Sequence, residues 1–386
     1  MPININRTFN GTVGKDRLIG SKYNDRLSGG DNHDTLYGGA GRNLYFGGNG
    51  NDYLGDQEGS SVLNGGNGND ELWGAGGNDT LAGDSGNDTV LSGDGDNRLF
   101  GNSGSDMLRA GSGRDTLDGG IGDDSLFGHT GADVLFGRDG NDLFVGGHES
   151  GLGDRLYGEA GNDTIDGNRG NDSLYGGVGN DSLNGGRGND LLLGGSGSDF
   201  LLGGYDADTL RGSYGDDTLA GGNDDVGGDR IFGDQGNDML LACEGDDTLT
   251  GGVGNDSIKG GGGENLLIGN QGNDTLLGGY SKDRFRFESA ADGRDIILDY
   301  VVGEDKIEVV ASNFSGVSAG KIAADTFVLG SSAQDGNDRF IYNQNTGDLF
   351  FDADGSGGQG QTRLATLSNP SWGNRSGFSH NDVVAI

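Results

Sequence analysis

GGNGNDELW at residues 65–73, GGVGNDSLN at 176–184 and GGVGNDSIK at 251–259 share one pattern, G-G-x-G-x-D-x-U-x, in which U is apolar. Cutting outward on this register from Gly11 to Arg286 gives 30 contiguous units, 28 of nine residues and two of twelve, at 146–157 and 221–232. The eighth position is apolar in every unit. It is Leu in 23 of them and otherwise Tyr45, Val90, Phe144, Ile165, Ile231, Ile258 or Phe285. The sixth is Asp in 26, the departures being Asn43, Ser61, Asn97 and Asn265. A strict period of this kind marks a solenoid, whose repeats bury their apolar faces only by stacking.

Three residues around the apolar position suit a short strand with one side chain inward, and the six residues G-G-x-G-x-D suit a turn. Two units then close a coil of 18 residues, and stacked coils make two facing parallel sheets over a Leu ladder. Turns on one side lie about 4.8 Å apart, the strand spacing. Each Asp thus comes near the carbonyls and the Asp of the next turn. Such a cage of carboxylate and carbonyl oxygens favours Ca²⁺ over Zn²⁺ or Mg²⁺.

Successive units alternate edges, so the turns fall into two rows. The odd row is unbroken: Asp16, Asp34, Asp52, Asp70, Asp88, Asp106, Asp124, Asp142, Asp163, Asp181, Asp199, Asp217, Asp238, Asp256 and Asp274, with 14 candidate gaps for an ion. All four departures from Asp and both long units fall in the even row. There an uninterrupted series survives through Asp115, Asp133, Asp154, Asp172, Asp190, Asp208, Asp229 and Asp247, adding up to seven gaps. Asp25, Asp79 and Asp283 lack an Asp neighbour in their own row. The expectation is 14 to 21 Ca²⁺ ions, with the rest of the even edge poor in metal.

This nonapeptide resembles the RTX, or hemolysin-type, calcium-binding repeat, over about seven-tenths of the chain. The resemblance implies an all-β, right-handed parallel β-roll that binds Ca²⁺ between consecutive turns of one side. The expected organisation is an N-terminal cap at 1–10, the roll at 11–286 and a C-terminal β cap at 287–386.

Composition supports dependence on metal. Of 386 residues 86 are Gly and only 31% are apolar, while the formal net charge is −36. Those values alone describe a disordered polyanion, so cations are expected to be coupled to folding. Two prolines and no Gly-X-Y period exclude collagen. The shortage of Lys and Arg argues against nucleic acid as a partner. No apolar run is long enough for a membrane span, and no N-terminal secretory signal is visible. Cys243 is the single cysteine, so it has no internal disulfide partner; it reads as an incidental thiol in a turn.

No enzyme is expected. Only ten residues precede the repeats, and the zinc-protease pattern opened by His148 and Glu149 fails because Leu152 stands where the second His belongs. His33, His129 and His380 are scattered, and neither Gly-Lys pair has phosphate-loop spacing.

After Arg286 the period stops and strand-like runs appear at Ile296–Val302, Lys306–Val310 and Phe327–Leu329. A hairpin follows at 339–354, turning near Asn345–Gly347. This region is similar to the C-terminal segment behind RTX arrays in type I secreted proteins, including the serralysin group, and the ending Asp382-Val383-Val384-Ala385-Ile386 is similar to their terminal signal. The resemblance implies an extracellular or cell-surface protein exported by type I secretion machinery; Val383–Ile386 also reads as an ordinary last strand. Asp352-Ala353-Asp354-Gly355-Ser356-Gly357 looks like the start of an EF-hand loop, but its twelfth position is Arg363, so it reads as a turn, with a weak local calcium site as the alternative.

The leading function is a secreted calcium-binding structural protein. A second is an adhesin or carbohydrate-binding module using the outward ninth positions Tyr37, Trp73, Phe127, Phe136, Tyr157, Tyr175 and Phe232 on a glycan or surface partner. Ice binding ranks lower, since related modules place Thr at the third position and here only Thr130 does.

Overall fold

A computed structural model describes residues 5–148, 153–222, 227–355, 360–368 and 377–386. Glu149, Leu152, Ser356 and Gly357 lie outside the described residues. The chain divides into two compact units, 1–195 and 196–386, and each is a parallel β-solenoid. Among the described residues no helix is long and apolar enough to cross a membrane.

In the first unit, strands of even-numbered repeats form one sheet, where Leu44–Asn49, Val62–Asn67, Thr80–Ser85, Arg98–Ser103 and Thr116–Ile121 pair in succession. Odd-numbered repeats form the other, through Thr35–Tyr37, Tyr53–Gly55, Glu71–Trp73, Thr89–Leu91 and Met107–Arg109. Partners such as Leu63 and Leu81, or Leu54 and Leu72, are one coil apart, so the expected coil is the observed one. Eighth-position side chains from Leu27 to Leu192 are buried, while Leu18, at the open end, is only half-buried. Arg7–Asn10 adds a further parallel rung against Asp25–Asp31.

The strands are longer than the repeat suggests. A strand such as Leu44–Asn49 takes positions seven to nine of one repeat and the first three of the next. The second glycine of the motif therefore lies in the sheet. Gly48 has φ of 116°, and a Cβ there would strike the carbonyl of Gly30 one rung earlier, so glycine serves the close approach of rungs. Odd-row turns from Gly29 onward receive such strands among the described residues. By contrast, the short strands Tyr53–Gly55, Thr89–Leu91, Met107–Arg109 and Met239–Leu241 run into even-row turns that begin with Asp56, Ser92, Ala110 and Ala242 instead of Gly.

The second unit repeats this plan, pairing Thr209–Tyr214, Arg230–Gln235, Thr248–Val253 and Leu266–Gln271 on one side and Thr218–Gly222, Met239–Leu241, Ser257–Gly261 and Thr275–Gly279 on the other. Parallel pairing does not stop at Arg286. Asp295–Ile297 extends Thr275–Gly279, and Lys306–Val309 extends Arg284–Phe287. Residues 290–298, AADGRDIIL, and 300–308, YVVGEDKIE, are repeats that have lost both leading glycines but keep the fourth-position Gly, the Asp and the inward apolar residue. Ile297 and Ile307 are fully buried.

Beyond them lies a β cap. Phe340–Asn343 and Asp348–Asp352 form the expected hairpin, and Gln361–Leu367 bridges that hairpin to Asp295–Ile297. The run expected at Ile296–Val302 is shorter because Tyr300–Gly303 opens the next turn. Asp352 accepts the N–H groups of Asp354 and Gly355, a turn as read. Val383–Ala385 is a strand, parallel to Lys306–Val309.

Candidate metal sites along the two edges

Each repeat Asp follows an inward-turning glycine bend and is followed by a strand, so its carboxylate points along the edge toward the neighbouring rung. One oxygen has a fixed partner. Asp70 Oδ1 accepts the N–H of Asp52 at 2.7 Å, Asp88 that of Asp70, Asp106 that of Asp88 and Asp124 that of Asp106, each spanning one coil. In the second unit Asp238, Asp256 and Asp274 do the same for Asp217, Asp238 and Asp256. The Asp backbone carbonyl in turn accepts from the seventh residue one rung later, as Asp70 does from Thr89. Within each unit the row is thus a rail of carboxylates linked rung to rung.

The second oxygen is different. In Asp34, Asp52, Asp70, Asp88, Asp106, Asp124, Asp142, Asp163, Asp217, Asp238, Asp256 and Asp274, Oδ2 is buried and without a hydrogen-bond partner. Removing a charged oxygen from water without a partner is costly. The space beside it is kept open by the first glycine of the motif. A Cβ on Gly101 would fall against Asp106 Oδ2 and the carbonyl oxygen of Gly119, and one on Gly233 against Asp238 Oδ2 and the carbonyl of Gly251. Two acceptors face one gap with no donor between them, which is the demand a hard cation meets.

Burial pushes the carboxyls of Asp70, Asp88, Asp124, Asp163, Asp238 and Asp256 up to about 7 from an ordinary 3.8, and neighbouring carboxylates add to it in all six. Raised values mean that the metal-free fold binds more protons than the unfolded chain. Its stability therefore falls as pH rises from 4 through 7, and protons compete with a cation over the same range. The calcium concentration for half-maximal folding is therefore expected to fall several-fold between pH 7.5 and pH 5.5, because protonation favours the folded chain over the unfolded one, whose carboxylates stay ionised throughout that range. An unchanged midpoint would mean that these carboxyls do not take up protons on folding.

Among the described residues no three His, Cys, Asp or Glu side chains converge as a metal cluster, so remaining ligands must come from backbone carbonyls. The first position is Gly in all 15 odd-row turns, the same turns that never lose Asp. In the even row it is Asp56, Ser92, Ala110 and Ala242, and two of these turns have also lost Asp, to Ser61 and Asn97. For Asp115 and Asp247 the methyl groups of Ala110 and Ala242 stand where glycine elsewhere leaves room. Gly128, Gly146, Gly203 and Gly221 keep that room beside Asp133, Asp154, Asp208 and Asp229.

The ends of the rail close themselves. Asp16 Oδ2 accepts the Thr12 N–H at 2.6 Å and Asp25 Oδ2 that of Ser21, while Asp305 Oδ2 accepts the Val301 N–H. Two residues outside the sequence register join the rail. Asp295 Oδ1 accepts the Asp274 N–H and Asp305 Oδ1 that of Asp283, so Asp283 has an Asp neighbour after all. Their spacings of 21 and 22 residues and missing glycines hid them; the surviving signal was Gly-x-Asp-x-Ile.

The aromatic ninth positions form a stack instead of a platform. Phe136 and Tyr157 lie 5.0 Å apart and Tyr157 and Tyr175 4.7 Å, with their planes nearly parallel, so the rings turn their faces to one another. Tyr37 is tilted against Tyr53, whereas Trp73 remains exposed. Cys243 is half-buried and free, as read.

A family model described as the RTX calcium-binding nonapeptide repeat matches overlapping segments from 10–45 to 259–297. No curated protein matches the chain. Among solved structures it is similar to the solution structure of the AlgE6R3 subunit from the Azotobacter vinelandii mannuronan C5-epimerase, at 20% identity over 47% of this chain and 79% of that one, with a TM-score of 0.21.

Proposed function

The chain belongs to the RTX calcium-binding nonapeptide repeat family, and from that premise we propose a secreted, extracellular structural protein whose roll is riveted by calcium along both edges. The observation that carries this reading is the run of buried Oδ2 atoms without partners, each beside a glycine-made gap. Ca²⁺ bound there supplies the positive charge those oxygens need. The Asp carboxylates of the odd row, the first-position carbonyls of succeeding turns and the even-row turns from Asp133 to Asp229 are the groups that hold it. Export through a type I channel fits a polyanion that stays unfolded where calcium is scarce.

Counting ions on the purified full chain by atomic emission, after equilibration in millimolar calcium, tests the assignment. About twenty per chain are expected, within the 14 to 21 gaps of the two rows. A count far below fourteen overturns it.

A further inference from the structure

Three even-row turns of the first unit are closed by the protein's own donors. Tyr45, at an inward eighth position, sends its hydroxyl sideways into the gap of its own turn; a Cβ on Gly38 would land on it. That hydroxyl donates to Asp56 Oδ1 at 2.7 Å, with the Gly55 carbonyl oxygen 3.1 Å away. Asn43 donates from Nδ2 to the same Asp56 oxygen at 3.0 Å, while its Oδ1 accepts the Asp25 N–H. Ser61 Oγ accepts the Asn43 N–H at 2.9 Å. At the third turn Asn97 Nδ2 donates to the carbonyl of Gly95 at 2.8 Å, and its Oδ1 accepts the Asp79 N–H.

These contacts invert the chemistry of the odd edge. There, acceptors face acceptors across an open gap. At these three turns an amide or hydroxyl donor enters the gap and meets an acceptor, while the amide or hydroxyl oxygen still continues the rail; the Asp79 turn between them keeps an open gap, its Oδ2 buried without a partner beside Gly74. Asn keeps the accepting oxygen of Asp and exchanges the charged one for an N–H₂ group. Asp56 stands at the position that must be Gly for the gap to stay open, and its Oδ1 is met by two donors while its Oδ2 is buried without one. Five such side chains, Asn43, Tyr45, Asp56, Ser61 and Asn97, are buried along one stretch of one edge.

We propose that this stretch of the even edge, from Asn43 to Asn97, is a calcium-independent clasp that keeps the N-terminal rungs in register before metal arrives. The odd edge of the same rungs has no such closure. One edge is therefore set by sequence and the other by calcium, which gives metal-driven folding a fixed place to start.

The inference rests on the calcium reading above, and one measurement separates their failures. Hydrogen exchange is followed on the full chain in excess chelator. The amides of Asp25, Asn43, Ser61 and Asp79, which donate along the clasp, are expected to exchange at least about tenfold more slowly than those of Asp34, Asp52, Asp70 and Asp88 across the roll. Fast exchange on both edges overturns the clasp and leaves the calcium reading standing. Slow exchange on both edges overturns the calcium reading and with it the contrast between edges. A gain-of-function variant gives a second readout. Asn43→Asp with Tyr45→Leu and Asp56→Gly restores the repeat pattern, and is expected to add about one bound ion and to lose the protection in chelator. An unchanged ion count in a variant that folds in calcium overturns the proposal.

Discussion

Excess chelator is expected to remove most of the β-type circular dichroism of the full chain, and millimolar calcium to restore it. The expectation follows from where the charge sits. The chain carries a formal net charge of −36, and its repeat carboxylates are stacked one strand spacing apart along each edge, buried to within a few per cent of full exclusion from water. Without a cation each must be taken from water charged, against its neighbours, or protonated, and at neutral pH both are unfavourable. The core that opposes this is narrow, a single inward side chain per repeat. Calcium acts on every rung at once, so its binding free energy is folding free energy. The residual signal in chelator is assigned to the clasp and the cap. Retention of the full β spectrum at neutral pH in excess chelator would sink the calcium reading.

The coil of 18 residues and its two edges were legible because Asp and the apolar residue recur without drift. The rows themselves emerged from parity, since every loss of Asp fell on even repeats. Other features were written in the sequence yet unreadable. Glycine at the first position of every odd turn looks like turn composition in a chain with 86 glycines. Only the contact of a built Cβ with Asp Oδ2 shows that Gly and Asp form one requirement. Asp295 and Asp305 were hidden because the repeat pattern is marked by its leading glycines, which the last two repeats have lost. The link between Tyr45 and Asp56 was invisible for a different reason. They are 11 residues apart and meet only because the hydroxyl of an inward residue leaves the apolar ladder for the edge.

Coupling of Gly and Asp gives a test in which one methyl group should act like the loss of a carboxylate. Gly119 does not have a positive φ, so alanine is tolerated by the backbone, but its Cβ would be driven into Asp124 Oδ2. Gly119→Ala and Asp124→Asn should therefore each abolish the same gap, by filling it or by removing the charge that draws the ion. If calcium stands at about a hundred times the dissociation constant, each costs about 3 kcal/mol of stability measured in calcium. The double variant should cost little more than either alone, because the second change removes an ion already lost. Asp79→Asn should cost clearly less. Asp79 is followed in its row by Asn97 instead of a second carboxylate, and burial with the nearby Asp56 charge already pushes its carboxyl up to about 7. A neutral amide there relieves repulsion while keeping an oxygen to accept the Ser61 N–H. Denaturant midpoints at fixed calcium decide the matter: equal losses for Asp124→Asn and Asp79→Asn would refute a metal-bearing odd edge opposite a metal-poor stretch. Additive losses for Gly119→Ala and Asp124→Asn would show that the glycine gap is not where the ion sits.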